Sequence, residues 1–443
     1  MVRIPVGHPF PPSSLFILMV ISSSMRRRDP LTVYVLNQMV HWFIVGITLP
    51  VLVLYITDRG LDLFQAGMVL SIYSGTVILL ELPTGGLSDS IGRKKVYQYS
   101  LVFSLISGSV LLFAQGLPLF LLGFVLYGTA RALSSGSMDA WFVDEFTARN
   151  PHADLQRALA TANVFIPLGI GAGSLLGGIV PMLAADLPEA VEGASIYSAN
   201  IALMVCMVVV QMVLTHVLVE ETSFKPSGTS ASGLKALPAV LSDAISYGIK
   251  DRFTFVMMLS SAFLGFGMLA VELLWQPRAQ ALMDDPSQTW VFGLLAAGYF
   301  AASSVGNLLA SRGSALLGRN PLRSLTWIRG LSGVVLLVLA WQSGLLGFAI
   351  LYLALYAVLG LSNSPHAAAF NENIPKERRS TLMSFESLMI QAGGLVGSLV
   401  IGWLAQSSGI ASAWTVAGLV LAASSTTYGY LWLVRKGRPR RKA

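Results

Sequence analysis

The chain has 443 residues, of which 54% are hydrophobic and 12% charged, with a mean hydropathy of +0.68 and a formal net charge of +7. Soluble proteins carry about 25% charged residues, so this composition excludes a soluble multidomain enzyme. It also excludes disorder, which needs low hydrophobicity, and a disulfide scaffold, because Cys206 is the only cysteine.

In chain order, residues 1–30 come first. The apolar run Leu15–Ile21 follows Arg3 in the manner of a secretory signal, but it is too short to span and lacks the usual small-residue cleavage site. We read 1–30 as a cytoplasmic extension. The apolar runs that follow are continuous rather than alternating, which argues for helices and against a transmembrane barrel. Each spans about 20 residues, enough to cross a bilayer. Six are expected near 32–56, 62–87, 97–115, 117–142, 158–183 and 198–219. A hydrophilic stretch, 220–252, reads as a cytoplasmic linker with a short surface helix from Leu234 to Ile249. Six more spans follow near 253–274, 288–310, 324–342, 345–366, 381–405 and 411–434, and a basic tail fills 435–443. The expected fold is all-α: a polytopic membrane protein of twelve transmembrane helices, as two bundles covering 31–219 and 253–434.

The charges orient these spans. With the N-terminus inside, only Arg59 and Arg278 of the 29 Lys and Arg residues fall on the outer side. Both termini are therefore expected in the cytoplasm of a bacterial cell, and the basic balance is explained by anionic lipid rather than nucleic acid. The halves also repeat weakly. Gly173–Gly178 matches Gly397–Gly402 at an offset of 224 residues, which also relates Pro151 to Pro375 and Asp139 to Asn363.

The sharpest motif ends span two. Gly85-x-Leu87-x-Asp89-x-x-Gly92-Arg93-Lys94, preceded by Glu81-Leu82-Pro83-Thr84, resembles the inner-loop signature of the major facilitator superfamily, and of its bacterial efflux-type members in particular. That resemblance implies two parallel six-helix repeats around a central cavity lined by spans one, four, seven and ten. It makes Gly85, Asp89, Gly92, Arg93 and Lys94 a gating loop, with the glycines at a turn between packed helices. Position 90 is Ser where the family often has a basic residue, and the second half offers only Gly318-Arg319 as a counterpart. The run Gly169, Gly173, Gly177, Gly178 is similar to the family's antiporter motif, with Ser174 in place of Pro. It reads either as close helix packing or as a pliant helix.

Ionisable groups inside spans are functional candidates. Arg131 and Ser135 lie one turn apart on one face of span four, and Asp139 is one turn further. The family often has a buried Arg in this helix. Arg131 keeps its charge whereas Asp139 can take a proton, so the pair reads as a proton switch or as a static brace. Glu81 reads as a structural partner of a group in span four or eleven or, alternatively, as a proton-transfer group. Asn37 and His41 share a face of span one and are candidates to line the cavity, as are Asn363 and His366 in span ten. Glu272 reads as an outer gate or an interfacial end, Glu386 as facing the Asp89 loop or snorkelling, and Arg329 as snorkelling inward. Trp42, Trp141, Trp275, Trp341 and Trp414 fit interfacial belts.

No paired-His metal spacing, P-loop or adjacent cysteines occur, so no metal, cofactor or ATP-driven step is expected. The expected partners are a small-molecule substrate, protons and membrane lipid, with no obligate protein partner and no nucleic acid. The leading expectation is a non-enzymatic secondary transporter that exports a small organic molecule against protons. A proton-coupled uptake symporter and a non-transporting membrane sensor are the alternatives.

Overall fold

The computed structural model describes residues 29–222, 246–316, 320–375 and 378–436. The extension 1–28, most of the linker and the end of the tail lie outside the described residues. So do Gly318-Arg319 and the side chain of Asp89. Of the expected surface helix only 246–249 is described, and it is helical.

The described chain crosses twelve times. Span one is Pro30–Thr48 plus Leu52–Asp58; spans two and three are Leu63–Ile91 and Arg93–Leu112. Span four is Leu117–Ser134 plus Ser137–Arg149; spans five and six are Leu155–Leu183 and Ser198–Leu218. The second half supplies Arg252–Ala281, Trp290–Leu316, Pro321–Ala340, Leu345–Asn371, Arg379–Ser408 and Ile410–Lys436. Eleven are long and apolar enough to cross a membrane by composition. Span three falls short because it opens on Arg93, Lys94 and Lys95 and carries several serines. Side chains such as Leu79, Leu308 and Leu346, each at least three-quarters exposed, form the outer apolar surface that lipid requires.

Helix starts follow capping chemistry. Asp62, Asp154, Asp251 and Asn320 each accept a hydrogen bond from a backbone amide of the first turn. Two spans are broken, for different reasons. Pro50 has no N–H to donate and its ring crowds the preceding turn, so span one stops at Thr48 and restarts at Leu52. Span four stops at Ser134 and restarts at Ser137, with Gly136 in the left-handed region at φ 72°. Span two, in contrast, runs four residues beyond its expected end. Gly85 therefore lies inside a helix rather than at a turn, and only Gly92, at φ 101°, makes the corner.

Glycine spacing sets how each half packs. A Cβ on Gly169, Gly173 or Gly177 would meet the backbone carbonyls of Met39, Phe43 and Ile47, so span five lies directly on span one. In the second half Gly393 and Gly397 meet Ala262 and Phe266 in the same way, joining spans eleven and seven. The 224-residue offset is thus the same helix contact made twice.

The two halves meet chiefly at the face opposite the one carrying Arg93, Arg149, Arg252 and Arg378, here called the basic face. On the opposite face, a Cβ on Gly178 of span five would lie 2.6 Å from Gly293 N of span eight. One on Gly402 of span eleven would lie 3.3 Å from Gly67 Cα of span two. Thr289 Oγ1 donates to Gly178 O at 2.6 Å and Gln406 Oε1 accepts from Leu63 N at 3.2 Å. Trp275 and Trp414 are fully buried and Trp141 is 2% exposed, so these three are core residues and not an interfacial belt. The indole of Trp414 donates to Ala270 O, which explains why it tolerates burial.

On the basic face, the corner after span two is held by charges. Arg93 pairs with Asp144 at 2.8 Å, and its backbone amide donates to Glu221 Oε1 at 2.6 Å. Lys94 Nζ donates to His216 O at 3.0 Å. Beside them Glu145, fully buried, accepts from Thr222 N at 2.6 Å and from Arg149 at 3.1 Å, which anchors the start of the linker.

Candidate functional site

Between the halves, on the basic-face side of the glycine seal, lies a cavity of about 460 Å³. Spans one, three, four and five line it with Tyr34, Gln38, His41, Trp42, Tyr97, Arg131, Ser135, Asp139 and Asn163; span eight closes it with Phe300, Ser303 and Ser304. A larger groove of about 700 Å³ opens on the other face around Arg59, Phe113 and Gly193, but only first-half residues line it. It lies off the axis between the halves.

Arg131 and Asp139 are both exposed to the axial cavity. They do not sit on one continuous helix face, as their spacing suggests. The break at Ser135–Gly136 falls between them, so Arg131 ends one helix and Asp139 lies in the first turn of the next. Each sits at the helix end that suits its charge, a cation at a C-terminus and an anion at an N-terminus. Among the described residues no ion pair joins them. Asp139 Oδ1 instead accepts from Tyr34 OH at 2.6 Å and from Gln38 Nε2 at 3.2 Å. Tyr34 is itself fixed by stacking on Phe142, 4.4 Å between ring centroids.

His41 lines the cavity and its Nδ1 lies 3.5 Å from Tyr97 OH. Asn37 does not line it. It is 2% exposed and donates to Thr215 Oγ1 of span six at 2.7 Å, since four residues advance a helix by slightly more than one turn and His41, not Asn37, meets the cavity. Behind His41, Gln211 donates to Tyr97 OH at 2.8 Å and completes a polar layer across spans one, three and six.

Glu81 reaches the break in span four from span two. Its Oε1 accepts from Ser135 Oγ at 3.3 Å, while Oε2 is buried with no protein partner. Next to it Thr84 Oγ1 donates to Ala132 O at 2.9 Å.

In the second half, Glu272 is neither interfacial nor part of the seal. It faces an aromatic group, accepting from Tyr356 OH at 2.9 Å, with Tyr299 stacked on Tyr356 at 4.3 Å. The neighbouring Gln276 does reach the other half: it donates to Leu49 O at 2.8 Å and accepts from Val53 N at 2.7 Å. Asn363 is exposed. His366 bonds to Glu386 and Tyr428. Glu386 thus points into its own half, away from the span-two corner, and Arg329 is 2% exposed rather than snorkelling. Desolvating Arg329 is offset by hydrogen bonds to Ser260 O and Tyr428 OH.

Tyr34, Gln38 and Tyr97 were not among the sequence candidates. The first two were within reach, since 34, 38 and 41 repeat at helical spacing on span one. Tyr97 carries no such signal.

The model of the Major Facilitator Superfamily matches residues 34–280 and 255–443. The chain is 18% identical over 381 residues to an uncharacterized MFS-type transporter, YxaM, of Bacillus subtilis (strain 168), covering 85% of this chain and 89% of that protein. Among solved structures, the nucleoside transporter NupG superposes with a TM-score of 0.72 at 13% identity, over 93% of this chain and 100% of that one. A point mutant of NupG gives the same score over 92% of this chain. At that identity the likeness is one of fold. Twelve crossings, a repeated glycine contact and a cavity between the halves agree with the family match, and the chain belongs to the major facilitator superfamily.

Proposed function

We propose that this transporter exports a small organic molecule in exchange for protons across a bacterial cytoplasmic membrane, with the basic face toward the cytoplasm. The observation that carries this reading is the pair Arg131 and Asp139. They stand on two separate pieces of one span, open to one cavity between the halves, and are not neutralised by each other. Arg131 is a fixed cation and Asp139 an exchangeable proton site. A proton on Asp139 favours one arrangement of the halves and substrate favours the other, which is the requirement for exchange. The volume suits a drug-sized ligand, since such sites occupy roughly 300–1,000 Å³. The direction of transport rests on the resemblance of Glu81–Lys95 to efflux-type members.

The test uses energised inverted vesicles loaded with a pH indicator. Adding a transported compound should release protons from the lumen. An absence of any pH change across a broad panel of amphiphiles and metabolites refutes export by exchange. Protonophore-sensitive accumulation in intact cells would instead assign uptake.

A further inference from the structure

Three ionisable groups of the second half, Arg329, His366 and Glu386, gather at one point outside the lining of the axial cavity. His366 of span ten bonds through Nε2 to Glu386 Oε1 of span eleven, and its Nδ1 lies 2.8 Å from Tyr428 OH of span twelve. Ser261 of span seven donates to the same carboxylate oxygen at 2.8 Å. Arg329 of span nine donates to Tyr428 OH at 3.3 Å and to Ser260 O at 3.1 Å. Phe370, one turn along span ten, stacks on the imidazole. Together these are the titratable, charged and hydroxyl groups packed around His366.

Charge counting separates this cluster from a static brace. Arg329 keeps its proton and is held by Ser260 O and Tyr428 OH, not by the carboxylate. His366 can be neutral or cationic, so the charge of the cluster changes by one when it takes a proton. Both states have a complete hydrogen-bond pattern. Neutral His366 donates from Nε2 to Glu386 and accepts from Tyr428 OH at Nδ1. Charged His366 donates from both nitrogens, so Tyr428 must accept from it and send its own hydrogen elsewhere. Ser260 Oγ is the acceptor in reach: it is fully buried and lies beside Tyr428. Access exists too, because the His366 side chain is 20% exposed and lies five residues from the basic-face end of span ten.

We propose that His366, with Glu386, is a proton-binding site of the second half, separate from Asp139, in which Tyr428 turns its hydroxyl from His366 to Ser260 as the proton arrives. The proton enters from water, adds to Nδ1 of His366, and leaves by the same route; no other bond is made or broken. The use of this proton in transport rests on the exchange reading above, but its binding does not.

The experiment is a pH titration of the full-length protein in lipid nanodiscs, with 15N-labelled histidine read by NMR. The chain has five histidines, so the His366 signal is assigned by substituting the other four one at a time. It should titrate reversibly between about pH 5 and 10. In Glu386→Gln the site should bind its proton at least about tenfold more weakly, and in Glu386→Asp, which keeps the charge, by less. A His366 signal fixed in one state across that range, or one whose proton affinity is the same with Gln at 386, overturns the proposal. The wild-type titration alone decides if a variant does not fold. Loss of substrate-driven proton release with His366 still titrating would sink the exchange reading and leave this site standing.

Discussion

Gln276 of span seven fills the gap left by a missing helical hydrogen bond beneath Val53 of span one. In a continuous helix Val53 N would donate to Leu49 O, four residues back. Pro50 interrupts that turn, and the Gln276 amide inserts between the two groups, accepting from one and donating to the other. A defect in the first half is therefore repaired by a side chain of the second, which makes the repair conditional on the halves being closed together at that face.

Gln276→Leu should favour opening at the opposite face. The substitution leaves Val53 N and Leu49 O buried without partners whenever the halves close, at a cost of about 1–3 kcal/mol for each unsatisfied group. Labelling of a cysteine at Val51, 1% exposed in this structure, should rise at least about fivefold in a Cys206→Ser background. Unchanged labelling would mean that span one makes its own bond and that Gln276 is dispensable.

The glycine seal should respond to a single methyl group. A Cβ at Gly178 would lie 2.6 Å from Gly293 N and 2.7 Å from its Cα, distances that require the helices to part. Gly178→Ala should raise accessibility at Val51 and reduce transport. Gly171→Ala, on the same helix with open space at its Cβ, is the matched control and should change neither. If both behave alike, the contact between spans five and eight is not what closes this face.

The crossings were legible because lipid demands long apolar helices, and the repeat because two glycine rows make the same contact in each half. What escaped was set by helix breaks and by rotation about helix axes. The break at Gly136 cancelled the two-turn relation between Arg131 and Asp139, since a single left-handed residue resets the phase of all that follows. Asn37 and His41 share a face by spacing, yet a small rotation hides Asn37 against Thr215 and leaves His41 in the cavity. Arg329 looked like a snorkelling residue because the Tyr428 hydroxyl and Ser260 carbonyl that receive it are distant in sequence.

Substitutions at Gly136 should rank by their tolerance of positive φ. A Cβ there meets nothing within 4 Å, so any effect comes from the backbone at φ 72°. Asn visits that region readily, while Val resists it at a cost of about 1–2 kcal/mol. Gly136→Asn should retain most transport. Gly136→Val should reduce it and lower thermal stability. Equal activities in the two variants would show that the break between Arg131 and Asp139 is not held by this residue.

Asp139→Asn should uncouple transport without emptying the cavity. Asn has the same shape, and its Oδ1 can still accept from Tyr34 and Gln38, so the lining that holds substrate is preserved. It cannot bind and release a proton, and an exchanger lacking its proton site has nothing to set against the substrate. Uphill movement in energised vesicles should fall by more than about tenfold, while substrate-for-substrate exchange stays within about threefold of wild type. Tyr34→Phe supplies the graded counterpart. It removes one hydrogen bond to the carboxylate, worth about 1.5–3 kcal/mol for a charged acceptor. Losing it leaves Gln38 as the remaining donor to that oxygen, so the carboxylate is held less firmly in the cavity and uphill transport should fall by about threefold to tenfold. Uphill transport that survives in Asp139→Asn removes this carboxylate from coupling, and unchanged uphill transport in Tyr34→Phe removes the hydroxyl from its control.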